Sequence, residues 1–224
     1  MTNTPNVMSL ADRLQSGLDS HNPSTRLQAA LTAGTTPDPT FITILMRHVA
    51  AESDFFVRDM ITWALTRHDH DQVVPHLVAA LSSPVAQAQS QALHTLSKLG
   101  EPTTWQAITT DHLVADDDEI ARTAWRTAVG LVPPEQQLNL ASILATQFGR
   151  GDHDVQRSLS AAFVTLGDPV SSVIEQAQHS DDARVRIHAT ATLLLMANPE
   201  AAFETLLDQA QRVEEEHSGS PRKE

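Results

Sequence analysis

Asp59, Trp63 and Arg67 follow one another at four-residue steps in the segment Asp54-Phe-Phe-Val-Arg-Asp-Met-Ile-Thr-Trp-Ala-Leu-Thr-Arg-His68, so on a helix they share one stripe. A carboxylate, an indole and a guanidinium on one face can accept and donate hydrogen bonds around a flat apolar surface. Trp and Arg are among the commonest anchors of macromolecular interfaces. His94 and Lys98 take comparable places in the next helix of the same kind, and Arg126 and Arg157 in later ones. These seven residues form the candidate partner-binding set.

Other clusters of chemically capable residues have simpler readings. His68-Asp-His-Asp71 with His76 has metal-ligand types at close spacing, but metal sites need three or four convergent ligands. The cluster falls in a turn between predicted helices and reads as a polar loop. The acidic run Asp116-Asp-Asp-Glu119 opens a helix, where negative charge complements the dipole, and reads as capping. No glycine-rich phosphate loop, H-E-x-x-H or G-x-S-x-G signature is present, and there is no cysteine to act as nucleophile, thiolate ligand or disulfide partner. No catalytic residue, metal or cofactor is expected, and the protein is not expected to be an enzyme.

The elements that must position the binding set come from a repeat. An Arg or Gln recurs at Arg26, Arg58, Gln89, Arg122, Gln156 and Arg186, at spacings of 32, 31, 33, 34 and 30. Asn22, Asp54, Asp118, Asp152 and Asp182 stand four residues before all but Gln89, where Val85 takes the place. A fixed period of this length means stacked supersecondary units. Each unit reads as helix A, a tight turn and helix B, with the acid capping B and pairing with the Arg one turn later. The expected A/B pairs are 9–19 and 23–33, 39–51 and 54–67, 72–82 and 85–98, 103–114 and 118–129, 134–148 and 153–165, and 169–179 and 182–196. A last helix over 199–215 closes the end. Ser9 with Asp12 forms a capping box, and Asn22-Pro23, Ser83-Pro84, Asp168-Pro169 and Asn198-Pro199 place a capping residue before a proline. The expected architecture is all-α: a right-handed α-solenoid of about six helical hairpins plus a C-terminal capping helix. It forms one domain over 8–215, between a flexible N-terminus (1–7) and a disordered tail (216–224).

The segments Asn22-Pro-Ser-Thr-Arg26, Asp54-Phe-Phe-Val57-Arg58 and Asp182-Ala-Arg-Val185-Arg186-Ile-His-Ala189 resemble the B-helix signature of HEAT repeats, with weaker copies at Asp118-Glu-Ile-Ala-Arg122 and Asp152-His-Asp-Val155-Gln156. The chain looks like bacterial HEAT-repeat proteins with phycobilisome-lyase-type repeats. FFVRDMITWALTRH, SQALHTLSKLG and ATQFGRGDHDVQRSLSAAFVTLG resemble phrases of actinobacterial members, related to the C-terminal part of some MerR-type regulators. The helix-turn-helix of those regulators is not expected, since the chain starts straight into the first repeat. The resemblance implies a non-enzymatic interaction or scaffold module with a regulatory role, using the concave face lined by B helices. It implies two alternatives as well: a HEAT-like alkylpurine DNA glycosylase or DNA-binding protein, for which Asp59, Trp63 and Arg67 supply the residue types, and a bilin-lyase-like protein. Trp125 falls on the signature's inward Ala position and is expected in the core. Trp63 lies off it, which leaves core and surface both open.

Charge narrows the partners. The net charge is −13, which is adverse to phosphate-backbone binding. Nine of the 15 basic residues nonetheless fall on expected B helices: Arg26, Arg58, Arg67, Lys98, Arg122, Arg126, Arg157, Arg184 and Arg186. A locally positive B-helix face on an acidic body points to another protein with an acidic or mixed surface, not to nucleic acid. The N-terminus has no signal-peptide pattern, and no stretch approaches the ~20 apolar residues of a membrane span. A cytoplasmic location is expected.

Overall fold

The computed structural model describes residues 8–219. Among them the protein is all-helical, with no strand. Scarce glycine, absent tyrosine and abundant Ala and Leu favour this outcome. The α-helices are α1 (Leu10–Leu18), α2 (Pro23–Thr35), α3 (Phe41–Val49), α4 (Phe55–Thr66), α5 (His70–Ala80), α6 (Ala86–Leu99), α7 (Thr110–Leu113), α8 (Asp118–Leu131), α9 (Gln137–Ala145), α10 (His153–Leu166), α11 (Ser171–Ala177), α12 (Ala183–Ala197) and α13 (Phe203–Gly219). Contacts divide the chain into two compact units, one ending at Ala107 and the other starting at Ile108.

In the first unit the B helices α2, α4 and α6 pack side by side, and the A helices α1, α3 and α5 form the second layer. Leu45, Ile61, Leu65, Leu77, Leu93 and Leu96 lie between them, fully buried. In the second unit α8, α10 and α12 form the B row and α7, α9 and α11 the other, with α13 packed on α12. Trp125, Leu140, Leu144, Leu159 and Phe163 fill its centre. Leu195, Phe203, Leu206 and Leu207 seal α12 against α13. Each such side chain stabilises by about 1.5–3 kcal/mol on burial, and only a neighbouring hairpin supplies the cover.

Several boundaries differ from expectation for local reasons. The A helix expected over 103–114 is a 3-10 segment at Pro102–Ala107 followed by the single turn of α7. Five Thr and Ile residues between 103 and 110 restrict χ1 and disfavour a continuous helix there. Asp117, not Asp118, caps α8, accepting from the amides of Glu119 and Ile120. α6 starts after Val85 with no side-chain cap, and Ser83 accepts from the Val85 amide instead. α13 begins at Phe203, after a turn through Asn198-Pro199, and continues through 219, into the expected tail. The expectations for 1–7 and for the end of the tail lie outside the described residues.

The recurring Arg or Gln does not pair with the acid four residues before it. The capping carboxylates of Asp54 and Asp152 are occupied by backbone amides, as is the Asn22 side chain. The Arg or Gln instead donates to a carbonyl of the A–B loop six residues back: Arg26 to Ser20, Arg58 to Glu52, Gln89 to Ser83 and Arg186 to Ser180, at 2.6–3.0 Å. Helix capping uses the acid, and loop fastening uses the cation. Two of these arginines also reach a carboxylate from a later helix or loop. Arg26 makes a bidentate pair with Glu52 (2.7 and 2.8 Å), and Arg186 with Glu214 of α13. Hydrogen bonds donated to these carboxylates raise both arginine pKa values. Burial opposes the Glu52 charge, but Arg26 and the Asp54 amide together hold its pKa below the usual value.

Candidate functional site

The fourth and fifth repeats depart from this scheme, and the departure shapes a groove that is the candidate site. Arg122 stands at the repeat's cation position but does not hold its own loop. Arg150, from the loop between α9 and α10, takes that task. Its Nη2 donates to the carbonyls of Ala115 (2.6 Å) and Asp116 (3.1 Å), and its Nε donates to the Asp118 carboxylate at 2.9 Å. Its guanidinium lies 6.0 Å from the centroid of the Trp125 ring. Asp118 is therefore committed to Arg150, and Arg122 has no carboxylate partner among the described residues. The Arg122 Nε donates to Ser158 Oγ of α10 at 3.0 Å, and that hydroxyl donates onward to the Asp154 carbonyl at 2.9 Å. This bond fixes the guanidinium at the seam between α8 and α10.

A groove of about 340 Å³ runs along the seam, lined by Arg122, Arg126, Val129, Arg157, Ser158, Ala161, Ala162 and Thr165. Arg122 and Arg126 lie one turn apart on α8 and so share its stripe. Arg157 comes from α10. It is half-exposed and held by Asp154 (2.6 Å) and by Glu204 of α13 (3.2 Å). Among the described residues, Arg126 makes no ion pair and is exposed. Val129, Ala161 and Ala162 give the groove its small, apolar lining. The groove thus offers three guanidiniums, only one of them neutralised, over an apolar base with Ser158 and Thr165 hydroxyls at its edge. Guanidinium forks beside an apolar base have the donor geometry that carboxylates and phosphates accept.

The seven predicted partner-binding residues are divided between the two units. Asp59, Trp63 and Arg67 lie on α4 and its C-terminal cap, and His94 and Lys98 on α6, all in the first unit. Asp59, Arg67 and Lys98 are exposed and His94 is half-buried. Trp63 is at the surface, 37% exposed, with its ring seated over Gly34 of α2. Trp125 is fully buried and donates its indole N–H to the Leu113 carbonyl at 2.7 Å. Only Arg126 and Arg157 of the predicted set line the α8–α10 groove. Arg122 and Ser158 join them. Sequence reasoning assigned Arg122 to the structural ladder. The one available signal was Arg150, an arginine immediately before a capping turn where no other repeat has one.

The other clusters serve the fold. Asp69 caps α5, His70 bonds Glu101 at 2.7 Å, and His68 is buried with its Nδ1 at 2.8 Å from the Ala64 carbonyl. In the second unit His188 of α12 is buried among Phe148, Phe163 and Phe203, near Ser160 and Thr192. Its Nδ1 accepts from the Gly149 amide, so Nε2 carries the proton and donates to the Gln156 carbonyl. Burial pushes its pKa down to about 4, and the ring is neutral at pH 7. Ser160 is wholly buried, which leaves this Ser–His contact a packing and loop-holding device.

Among the described residues no helix is long and apolar enough to cross a membrane. No family model matches the chain, and no curated protein matches it. Solved structures similar to it include the complex of CpcE and CpcF of phycocyanin lyase from Nostoc sp. PCC7120, at 17% identity over 98% of this chain and 92% of that one, TM-score 0.47. Human deoxyhypusine hydroxylase in complex with glycerol is similar at 14% identity over 92% and 96%, TM-score 0.45. An engineered protein is similar at 16% identity over 85% and 99%, TM-score 0.46. With every TM-score below 0.5, these likenesses decide neither a family nor an activity for this chain.

Proposed function

We propose that this protein is a HEAT-type helical-repeat module without enzymatic activity, and that it docks an acidic segment of another protein in the α8–α10 groove. The observation that supports this is the pair Arg122 and Arg126, which line one groove and have no carboxylate partner among the described residues. Other exposed cations such as Arg13, Arg67 and Lys98 also make no ion pair among the described residues; Arg122 and Arg126 differ in lying one turn apart and lining a single groove together with Arg157. The apolar floor of Val129, Ala161 and Ala162 adds surface for the partner's side chains, and the arginines add direction and register.

Site-specific photocrosslinking tests the reading. A photoreactive side chain replaces the exposed Thr165 at the groove edge, and adducts formed in the native host are identified by mass spectrometry. The expected adducts map to acidic segments of one or a few proteins, and they vanish when Arg122→Glu and Arg126→Glu are combined. Adducts that persist unchanged in that double variant would exclude the groove as the docking site. Release of a base from alkylated duplex DNA by the purified protein would exclude the non-enzymatic reading.

A further inference from the structure

The geometry points to a phosphorylated side chain on the partner peptide, not a carboxylate, as the group that the α8–α10 groove recognises. This rests on the docking reading above and names the chemistry of that site.

The first argument is the number of open donors. Arg122 and Arg126 make no ion pair among the described residues, while Arg157 is paired with both Asp154 and Glu204; the groove's net charge is therefore only about +1, and its two open forks set what fits. One carboxylate supplies a single negative charge and one two-oxygen fork. A phosphomonoester carries about −1.5 to −2 at pH 7 and presents three acceptor oxygens, enough for two guanidiniums at once. The second argument is orientation. Ser158 takes the Nε of Arg122, which fixes the guanidinium plane, and among the described residues no bond occupies its two Nη groups. Arg126, one turn further along the same face, presents its whole fork. Two planar forks on one stripe suit a tetrahedral oxyanion. The third argument is that the site is made by a substitution of roles. Arg26, Arg58 and Arg186 are spent on loop carbonyls. Arg122 is available only because Arg150 holds the Ala115 and Asp116 carbonyls and takes Asp118 out of reach. The groove volume of about 340 Å³ leaves room beside a phosphoryl group for the chain that bears it, against Val129, Ala161 and Ala162.

The test uses the full chain, ¹⁵N-labelled, with the arginine Nε–Hε resonances assigned. Four probes are titrated: the peptide Gly-Leu-phosphoserine-Leu-Gly, the same peptide with glutamate in place of phosphoserine, inorganic phosphate, and a short single-stranded oligonucleotide. The phosphopeptide is expected to shift the Arg122 and Arg126 signals and to bind at least tenfold tighter than the glutamate peptide. Inorganic phosphate is expected to shift the same signals more weakly. Arg126→Ala, an exposed position whose loss leaves the amide spectrum in place, is expected to weaken phosphopeptide binding at least tenfold. Arg122→Lys, which keeps the charge and loses the fork, should weaken it several-fold. Equal binding of the glutamate peptide would overturn phosphoryl recognition and leave acidic docking standing. Absence of shifts with either peptide would overturn both readings. Tighter binding of the oligonucleotide than of the phosphopeptide would replace the inference with recognition of a nucleic-acid backbone.

Discussion

Arg26 and Arg122 occupy the same place in their repeats and do opposite work. Arg26 is closed in: it holds the carbonyls of Ser20 and His21 and makes a bidentate pair with Glu52, a carboxylate that is almost wholly buried. Arg122 is open. Its loop is held by Arg150, its near carboxylate Asp118 is taken, and one bond to Ser158 holds it at a groove. A periodic position therefore fixes where a side chain emerges, not what it meets. What it meets depends on the next hairpin, which brings Glu52 to one arginine and Arg150 to the loop of the other.

Breaking the closed arginine should have the largest effect. Arg26→Ala leaves Glu52 buried without its partner and is expected to destabilise the first unit by about 3–5 kcal/mol. Urea unfolding, with amide exchange read on α2 and α4, measures it. A loss below 1 kcal/mol would remove the basis of the contrast.

The second unit fastens a further loop with a neutral histidine in place of an arginine, and pH breaks that fastening. His188 has a folded pKa of about 4 against an ordinary 6.5. The unfolded chain therefore binds the extra proton between these values. Stability is full above pH 6.5 and falls as pH is lowered toward 4, by about 3 kcal/mol for the whole window. Glu52, whose pKa is lowered, acts in a different range: its contribution is lost as pH falls below the ordinary carboxylate values. His188→Leu should lower stability at pH 7, by orphaning the Gly149 amide, and flatten the dependence between pH 6.5 and 4.5. Thermal melts across that range decide it. A wild-type protein equally stable at pH 7 and pH 4.5 would contradict the assignment.

The exchange of roles in the fourth repeat predicts an inversion. Arg150→Ala exposes two loop carbonyls and strands Asp118, at a cost of about 2 kcal/mol to the second unit. Arg122→Ala, at the position the repeat marks as structural, should change stability by only about 0.5 kcal/mol. If Arg122→Ala proved the costlier of the two, Arg122 would belong to the ladder after all. A smaller steric check sits in the first unit. Gly34→Ala would set a Cβ 2.3 Å from the Trp63 ring and 2.9 Å from the Ala64 Cα. It is expected to cost about 1 kcal/mol net, because overpacking outweighs the gain in helix propensity. Calorimetry on this variant reports whether Trp63 is as firmly seated as its contact with Gly34 implies.

The fold was legible because its signals are local and repeated. Capping residues, prolines at helix starts and apolar spacing each act within one or two turns, so α2, α4, α10 and α12 begin within a residue or two of where Asn22, Asp54, Asp152 and Asp182 place them. The signals failed where β-branched residues and a proline break the pattern between 102 and 110. They failed also at Asp118, because three successive acids can each cap a helix and only the chain path selects Asp117. The lining of the α8–α10 groove was half legible. Arg126 and Arg157 stood out as cations off the ladder, and Arg122 hid within it.

The sequence by itself determined the hairpins, their period and the face on which each cation emerges, since these follow from helical geometry over a few residues. The tertiary structure decided which cations are used up. Arg26 meets Glu52 across 26 residues, Arg186 meets Glu214 across 28, and Arg150 reaches back 35 to Ala115. Hydrogen bonds act over about 3 Å, so a partner that distant in the chain can be assigned only once the helices are packed.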